Sequence, residues 1–106
     1  RLGPALDSLL SKVIPVYLRE LPNRMENLDA ALGSKDAATF ARYCHGLKGT
    51  SKSIGAVELA DLCSEFEMAG YDGELPSRES FESMRELAEY TAVALMQTLK
   101  ERASQR

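Results

Sequence analysis

The sequence predicts an all-α fold, an up-down-up-down four-helix bundle with a short extra N-terminal helix. Three observations carry this. Apolar residues recur at steps of three and four in four successive segments, the spacing of a helix with one buried face. Strand signals are nearly absent, with no β-branched run and no Asn-Gly or Asp-Gly between alternating apolar residues. The connectors between periodic segments are mostly short, which folds consecutive helices back on one another.

The elements follow in order. Leu6, Leu9, Leu10 and Val13, with Pro4 near the start, predict the short leading helix. Ile14, Leu18, Leu21, Met25, Leu28 and Leu32 form the stripe of the first long helix. Pro15 suits its first turn, where a missing N–H leaves no bond unmade, and Pro22 should kink it. Gly33 and Ser34 end it. The second helix runs from about Asp36, a capping residue, to Ser51, with Phe40, Cys44, Leu47, Ser51 and Ile54 facing inward and Gly55 breaking it. The third runs from Val57 to Ala69 on Leu59, Leu62 or Cys63, and Phe66, and Gly70 stops it. After a turn-rich loop from Tyr71 to Pro76, Ser77 and Ser80 offer caps for the fourth. Its stripe is Phe81, Met84, Ala88, Thr91 and Leu95; it continues to about Leu99, and the tail from about Ala103 frays.

Composition narrows the function. At 106 residues, 44 % hydrophobic and 27 % charged, residues 1–106 read as one globular domain. A net charge of −3 argues against a nucleic-acid module. The two cysteines make neither a disulfide framework nor a zinc pattern, which fits reduced thiols in a cytoplasmic setting. With one histidine and no paired Asp/Glu spacing, no metal site is expected. No apolar run approaches the ~20 residues that cross a bilayer, and no signal peptide opens the chain. Opening on Arg1 rather than Met is what a piece excised from a longer chain would show.

The second helix breaks its own rules. Gly46 and Gly49 lie inside it, each costing roughly 1 kcal/mol relative to Ala, beside the only histidine, His45. Such glycines usually admit the close approach of another backbone or molecule. At about 100° per residue, Ala41, Arg42, Lys48, Gly49 and Lys52 all fall within about 60° of His45. The stripe thus sets small residues a turn above and below an accessible imidazole, with cations around it. Residues 35 to 52 carry Lys35, Arg42, Lys48 and Lys52 against Asp36, a local +3 on a chain whose remainder is −6. Neighbouring positive charge disfavours imidazolium, which leaves the ring a lone pair at neutral pH. A neutral ring nitrogen is a nucleophile toward phosphorus, and cations stabilise the oxygens of a transferring phosphoryl group. Nothing in the sequence resembles a phosphate loop or a kinase signature, so the phosphoryl group is expected to come from another protein.

These residues resemble a known family. The stretch His45-x-Leu47-Lys48-Gly49-x-Ser51-x-x-Ile54-Gly55-Ala56, followed by Leu59-Ala60-x-Leu62-Cys63-x-x-Phe66-Glu67, is similar to the histidine-containing phosphotransfer domain of multistep two-component signalling. Leu21-Pro22 and Leu28-x-x-Ala31-Leu32 fit bacterial members. The resemblance implies that Nε2 of His45 accepts a phosphoryl group from an aspartyl phosphate on a receiver domain, that of a hybrid sensor kinase, and passes it to a response regulator. It implies that Lys48 stabilises charge beside the acceptor and that Gly49 gives clearance to the partner. The angular stripe through His45 adds Ala41, Arg42 and Lys52 as docking residues. Ser51 matches a small polar position that orients the helix or ring, and Gly55 the helix-ending glycine. Mg²⁺ would sit in the receiver's acidic pocket, and no cofactor would bind here. The expected protein is a monomeric, cytoplasmic phosphoryl carrier rather than an enzyme, free-standing or terminal in a membrane-anchored hybrid kinase. Two positions depart from the pattern: Cys44, frequently Ala, and Gly46, smaller than common occupants and able to loosen the helix.

Simpler readings stand beside these. Cys44 and Cys63 lie on or near core stripes and behave as small hydrophobes. Ser51, pointing inward, would bond a backbone carbonyl one turn back. A phosphorylation-independent helical adaptor using the same face is the alternative function. The dimerising domain of a sensor kinase is a third, against which four helices in one chain speak.

Overall fold

A computed structural model describes the backbone of residues 3–104 and the side chains of residues 8–104. Within these the chain is all-helical, without strands: α1 (Gly3–Gly33), α2 (Ala37–Ser53), α3 (Val57–Tyr71) and α4 (Arg78–Ser104). α2 packs on α3, α1 on α2 and α4, and α3 on α4. The 31 residues of α1 rise about 46 Å at 1.5 Å each, nearly the 48 Å long dimension of the molecule. α2 and α3 are about half that length, so they cover only part of the α1–α4 pair.

Among the described residues no leading helix stands apart from α1. The break expected ahead of Pro15 does not occur, and α1 runs on through Pro15 and Pro22. Pro22 stands on the exposed side, where the carbonyl four residues back can turn to water, and the buried stripe on either side holds the helix together. That stripe is Ile14, Leu21, Met25 and Leu28 with Tyr17 and Ala31, while Leu18 and Leu32 are half-buried. The side chain of Leu6, and residues 105–106 of the tail, lie outside what is described; up to Ser104 the tail is helix rather than frayed chain.

The core is the set of inward positions the periodicity gives: Phe40, Cys44 and Leu47 from α2, Leu59 and Cys63 from α3, Phe81, Met84 and Ala88 from α4. Phe40 lies at its centre, its ring centroid 6.2 Å from those of both Phe66 and Phe81. Truncating such a residue to Ala costs about 3–5 kcal/mol, through lost transfer energy and an unfilled cavity. Outside, Asp29 of α1 accepts from Arg78 at 2.7 Å and Arg85 at 2.8 Å, tying α1 to α4.

Helix ends follow one device. α1, α2 and α3 each close with paired bonds from the two residues beyond the cap: Lys35 N–H to Leu32 and Asp36 N–H to Ala31, Gly55 to Lys52 and Ala56 to Ser51, Gly73 to Gly70 and Glu74 to Ala69. This closure needs a left-handed residue, supplied by Gly55 (φ 82), Gly73 (φ 83) and, at α1, Lys35 (φ 58). Gly33 is therefore not the conformational stop the sequence suggests. Asp36 then caps α2 by accepting from Thr39 N–H at 3.1 Å, and Ser77 caps α4 through Ser80 N–H at 3.0 Å.

Gly70 does not stop α3, which continues to Tyr71. Its missing Cβ is where α2 comes closest. A Cβ there would lie 2.9 Å from Ala41 Cβ and 3.1 Å from the Ala37 carbonyl oxygen. That close crossing sets the last turn of α3, with Glu67 and Tyr71, beside the middle of α2.

Candidate functional site

His45 stands on the outer face of α2 with its side chain 66 % exposed. Its inner ring edge is held. Nδ1–H donates to Oε2 of Glu67 across from α3, at 2.8 Å. A neutral imidazole carries one ring proton, and a carboxylate against Nδ1 keeps it there, leaving the lone pair on Nε2 at the far edge of the ring.

Glu67 is buried and gathers three partners. Lys48 Nζ lies 2.6 Å from Oε1 as an ion pair, off the direction a hydrogen bond prefers, so Oε1 has no well-aligned donor. Tyr71 O–H donates to Oε2 at 3.0 Å. Burial alone pushes the Glu67 carboxyl up, but the contacts from Lys48, His45 and Tyr71 outweigh it and hold the group below its ordinary value. A buried carboxylate is tolerable only with such partners. The charge that touches the imidazole is thus Glu67, and Lys48 is paired with that same carboxylate. Lys48 is therefore not the free cation beside His45 that the sequence suggests.

The other expected site residues separate. Gly49 is exposed, and a Cβ on it would meet nothing within 4 Å. Lys52 is exposed on the same side. Arg42 is exposed but leans to the capping cluster, donating to Thr39 Oγ1 at 3.1 Å. Ala41 must be withdrawn from the docking stripe: it is fully buried beneath Gly70. It lies on the flank of α2 between core and surface, and α3 covers that flank. Lys48, on the same flank, is largely covered as well. Ser51 is buried, and its hydroxyl pairs with Tyr17 O–H at 2.8 Å rather than with a carbonyl one turn back. This bond ties α2 to α1. Gly55 closes α2 in the left-handed conformation. Gly46 makes room for α1, since a Cβ there would sit 3.1 Å from a guanidinium nitrogen of Arg24.

Sequence reasoning matched Glu67 to the family pattern without giving it a role, and read Tyr71 only as the start of a loop. Glu67 continues the buried i, i+4 series Leu59-Cys63, and an acid on an apolar stripe signals a partner waiting across the interface. On the surface, Tyr71 and Met68 flank Glu67 at 62 % and 68 % exposure, an apolar shoulder beside the imidazole. Among the described residues no three His, Cys, Asp or Glu side chains converge on a metal position, and no helix is long and apolar enough to cross a membrane.

Comparison with known proteins places this geometry. No curated protein matches the chain closely enough in sequence to count as a relative. Among solved structures, the crystal structure of histidine-containing phosphotransfer protein B from Pseudomonas aeruginosa PAO1 is similar, with a TM-score of 0.79 and 27 % identity, covering 86 % of this chain and 80 % of that one. The sequence pattern of the Hpt domain matches residues 12–104. An exposed histidine on the second of four helices, in a chain matched over nearly its whole length, makes this protein a member of the Hpt domain family.

Proposed function

We propose that this protein is a phosphorelay carrier. Nε2 of His45 attacks the phosphorus of an aspartyl phosphate on the receiver domain of a hybrid sensor kinase. The N–P bond forms, the P–O bond to the aspartate breaks, and that carboxylate leaves. The phosphoryl group then passes to the receiver of a response regulator. The observation that carries the reading is the bond from His45 Nδ1 to Glu67, which fixes the proton on the inner edge and turns the lone pair outward. As Nε2 bonds phosphorus, positive charge spreads over the ring, and Glu67 already accepts from the N–H that acidifies. A hydrogen bond to a charged group contributes about 1.5–3 kcal/mol. Lys48 balances the carboxylate and lies within reach of the phosphoryl oxygens.

The partner-facing surface in this reading is Gly49, Lys52 and Arg42 on α2 with Met68 and Tyr71 on α3, while Ser51 and Gly55 hold α2 in place. Mg²⁺ belongs to the receiver's acidic pocket, and the phosphoryl group comes from the partner protein rather than from a nucleotide bound here. The reading takes the four helices as an up-down-up-down bundle, supported by contacts only between ring neighbours, acting as a monomer in the cytoplasm. Incubation with a phosphorylated receiver and Mg²⁺ is expected to give an acid-labile, base-stable label that His45→Gln abolishes. A label that survives His45→Gln would refute the assignment. If no label forms while His45→Gln leaves receiver binding and signalling unchanged, the protein is a phosphorylation-independent adaptor.

A further inference from the structure

Oε2 of Glu67 receives two donors, His45 Nδ1–H at 2.8 Å and Tyr71 O–H at 3.0 Å. Tyr71 is the last residue of α3, one turn beyond Glu67. Its ring is mostly in solvent, at 62 % exposure, so packing gives little reason for a tyrosine here. What the side chain supplies is the hydroxyl, reaching back to a buried carboxylate. The hydrogen bond leaves a mark on both groups. The Glu67 contact pushes the phenol above its ordinary value, and the phenol helps hold the carboxyl down.

The other end of the carboxylate is held differently. Lys48 pulls on Oε1 from 2.6 Å, but off the line of a hydrogen bond. An ammonium is a point charge with no preferred plane, and it attracts either oxygen. Left to Lys48 alone, the carboxylate can rotate to share both oxygens with the ammonium, and Oε2 then leaves Nδ1. The imidazole would lose its bias and populate the tautomer with the proton on Nε2. That tautomer presents an N–H, not a lone pair, to a visiting phosphoryl group.

We propose that Tyr71 is a positioning residue for the acceptor imidazole, a role that rests on the phosphocarrier reading of His45. Its hydroxyl occupies a lone pair of Oε2 and opposes the pull of Lys48. It thereby fixes the carboxylate rotamer that keeps the His45 proton on Nδ1. Tyr71 acts through Glu67 and touches neither the phosphoryl group nor Nε2.

The test uses the full chain and the variants Tyr71→Phe, Tyr71→Ala, Glu67→Gln and the double variant Glu67→Gln/Tyr71→Phe. Two readouts are needed: the ¹⁵N shifts of the His45 ring nitrogens, which report the tautomer ratio, and single-turnover transfer from a phosphorylated receiver over a range of receiver concentrations. Tyr71→Phe keeps the exposed ring and loses only the hydroxyl. It is expected to move the ring nitrogens toward a mixed tautomer. The transfer rate at saturating receiver should fall by about threefold to tenfold, less than the full loss of a hydrogen bond to a charged group because the hydroxyl acts on the imidazole only through Glu67, with the half-saturating concentration unchanged. Tyr71→Ala should add weaker receiver binding. The double variant should be no worse than Glu67→Gln alone, because the two residues act in series. Parental ring shifts and a parental saturating rate in Tyr71→Phe would overturn the proposal, as would additive losses in the double variant. If the parental protein takes no label from any receiver, it is the carrier reading that fails; the ring shifts still decide whether Tyr71 orients the imidazole.

Discussion

The three helical glycines near His45, namely Gly46, Gly49 and Gly70, should respond to alanine in opposite ways, and the order tests why they are there. Gly49 lies inside α2, and its Cβ would meet nothing within 4 Å. Replacing it with Ala removes the helix penalty of glycine at no steric cost, a gain of about 0.8–1 kcal/mol. For a chain of 106 residues that raises Tm by about 4 °C. Gly46→Ala gains less, because its Cβ must move the guanidinium of Arg24 from 3.1 Å, though only the far end of a flexible side chain is displaced. Gly70→Ala should lose about 1–3 kcal/mol, since the methyl would press on Ala41 Cβ at 2.9 Å and the Ala37 carbonyl at 3.1 Å, neither of which can yield without separating α2 from α3.

Thermal unfolding by circular dichroism and urea titration of the three variants gives the order directly. Gly49 then has a second half. If the fold gains from a side chain at this exposed position, its absence serves the partner. Gly49→Gln should unfold at or above the parental temperature yet transfer phosphoryl groups at least tenfold more slowly, because bulk one turn from His45 blocks the approach (about 1.4 kcal/mol on the transition state). A Gly49→Ala variant less stable than the parent would show that the helix itself needs glycine. A Gly49→Gln variant that transfers at the parental rate would show that the partner never reaches this face.

Lys35 holds a left-handed conformation at φ 58; Lys35→Gly should stabilise by about 0.5–1 kcal/mol, the relief of that strain less the entropy glycine adds to the unfolded chain, and an unchanged urea midpoint would contradict it. Acid should unfold the protein through Glu67, Asp29 and Asp36. Glu67 is held down by its three partners against the upward push of burial, Asp29 by Arg78 and Arg85, and Asp36 by Thr39. Because the unfolded chain takes up these protons at higher pH than the folded one, the stabilisation is complete above the ordinary carboxylate range and is lost as pH falls through the lowered folded values. Glu67→Gln should therefore flatten the fall of the urea midpoint between about pH 6 and about pH 3, and an unaltered slope would remove Glu67 from the account. Burial pushes the Cys63 thiol up to about 12, with Glu67 adding to it, and drives Cys44 higher still. Both thiols should resist a disulfide reagent in the native protein and react together on unfolding, whereas rapid labelling of the native state would contradict their burial.

The helices were legible because burial imposes a period. The inward positions of α2 and α4 are those the spacing selects, and the caps at Asp36 and Ser77 follow from residue chemistry alone. What failed was local propensity where tertiary contacts decide. Pro15 reads as the first turn of a new helix, but a helix packed along most of its length runs straight through that position. Gly70 reads as a stop, yet its smallness serves a crossing with Ala41 that no single helix can display. Ala41 reads as surface because helical angles are measured from the core axis, and one flank of α2 is covered by a second neighbour. Lys35 occupies a position where chemistry favours glycine, so nothing at that residue marks it.

The site around His45 shows the same limit in electrostatic form. Counting charges along residues 35–52 gives a positive patch around His45, and the sum is correct for the segment. Folding brings Glu67 from 22 residues away and places it between the imidazole and Lys48. The ammonium then faces a carboxylate, and Arg42 faces Thr39, the residue whose N–H Asp36 caps. A stretch of sequence can show that a histidine is exposed and that space was left beside it. The direction of its lone pair depends on which atom takes the other proton, and that atom belongs to a different helix. An acid on the buried stripe of α3 is the trace this leaves in the sequence. Its meaning is fixed only by what lies opposite, and so the chemistry of His45 is set by the packing of α2 against α3, with Gly70 at the closest point of that contact.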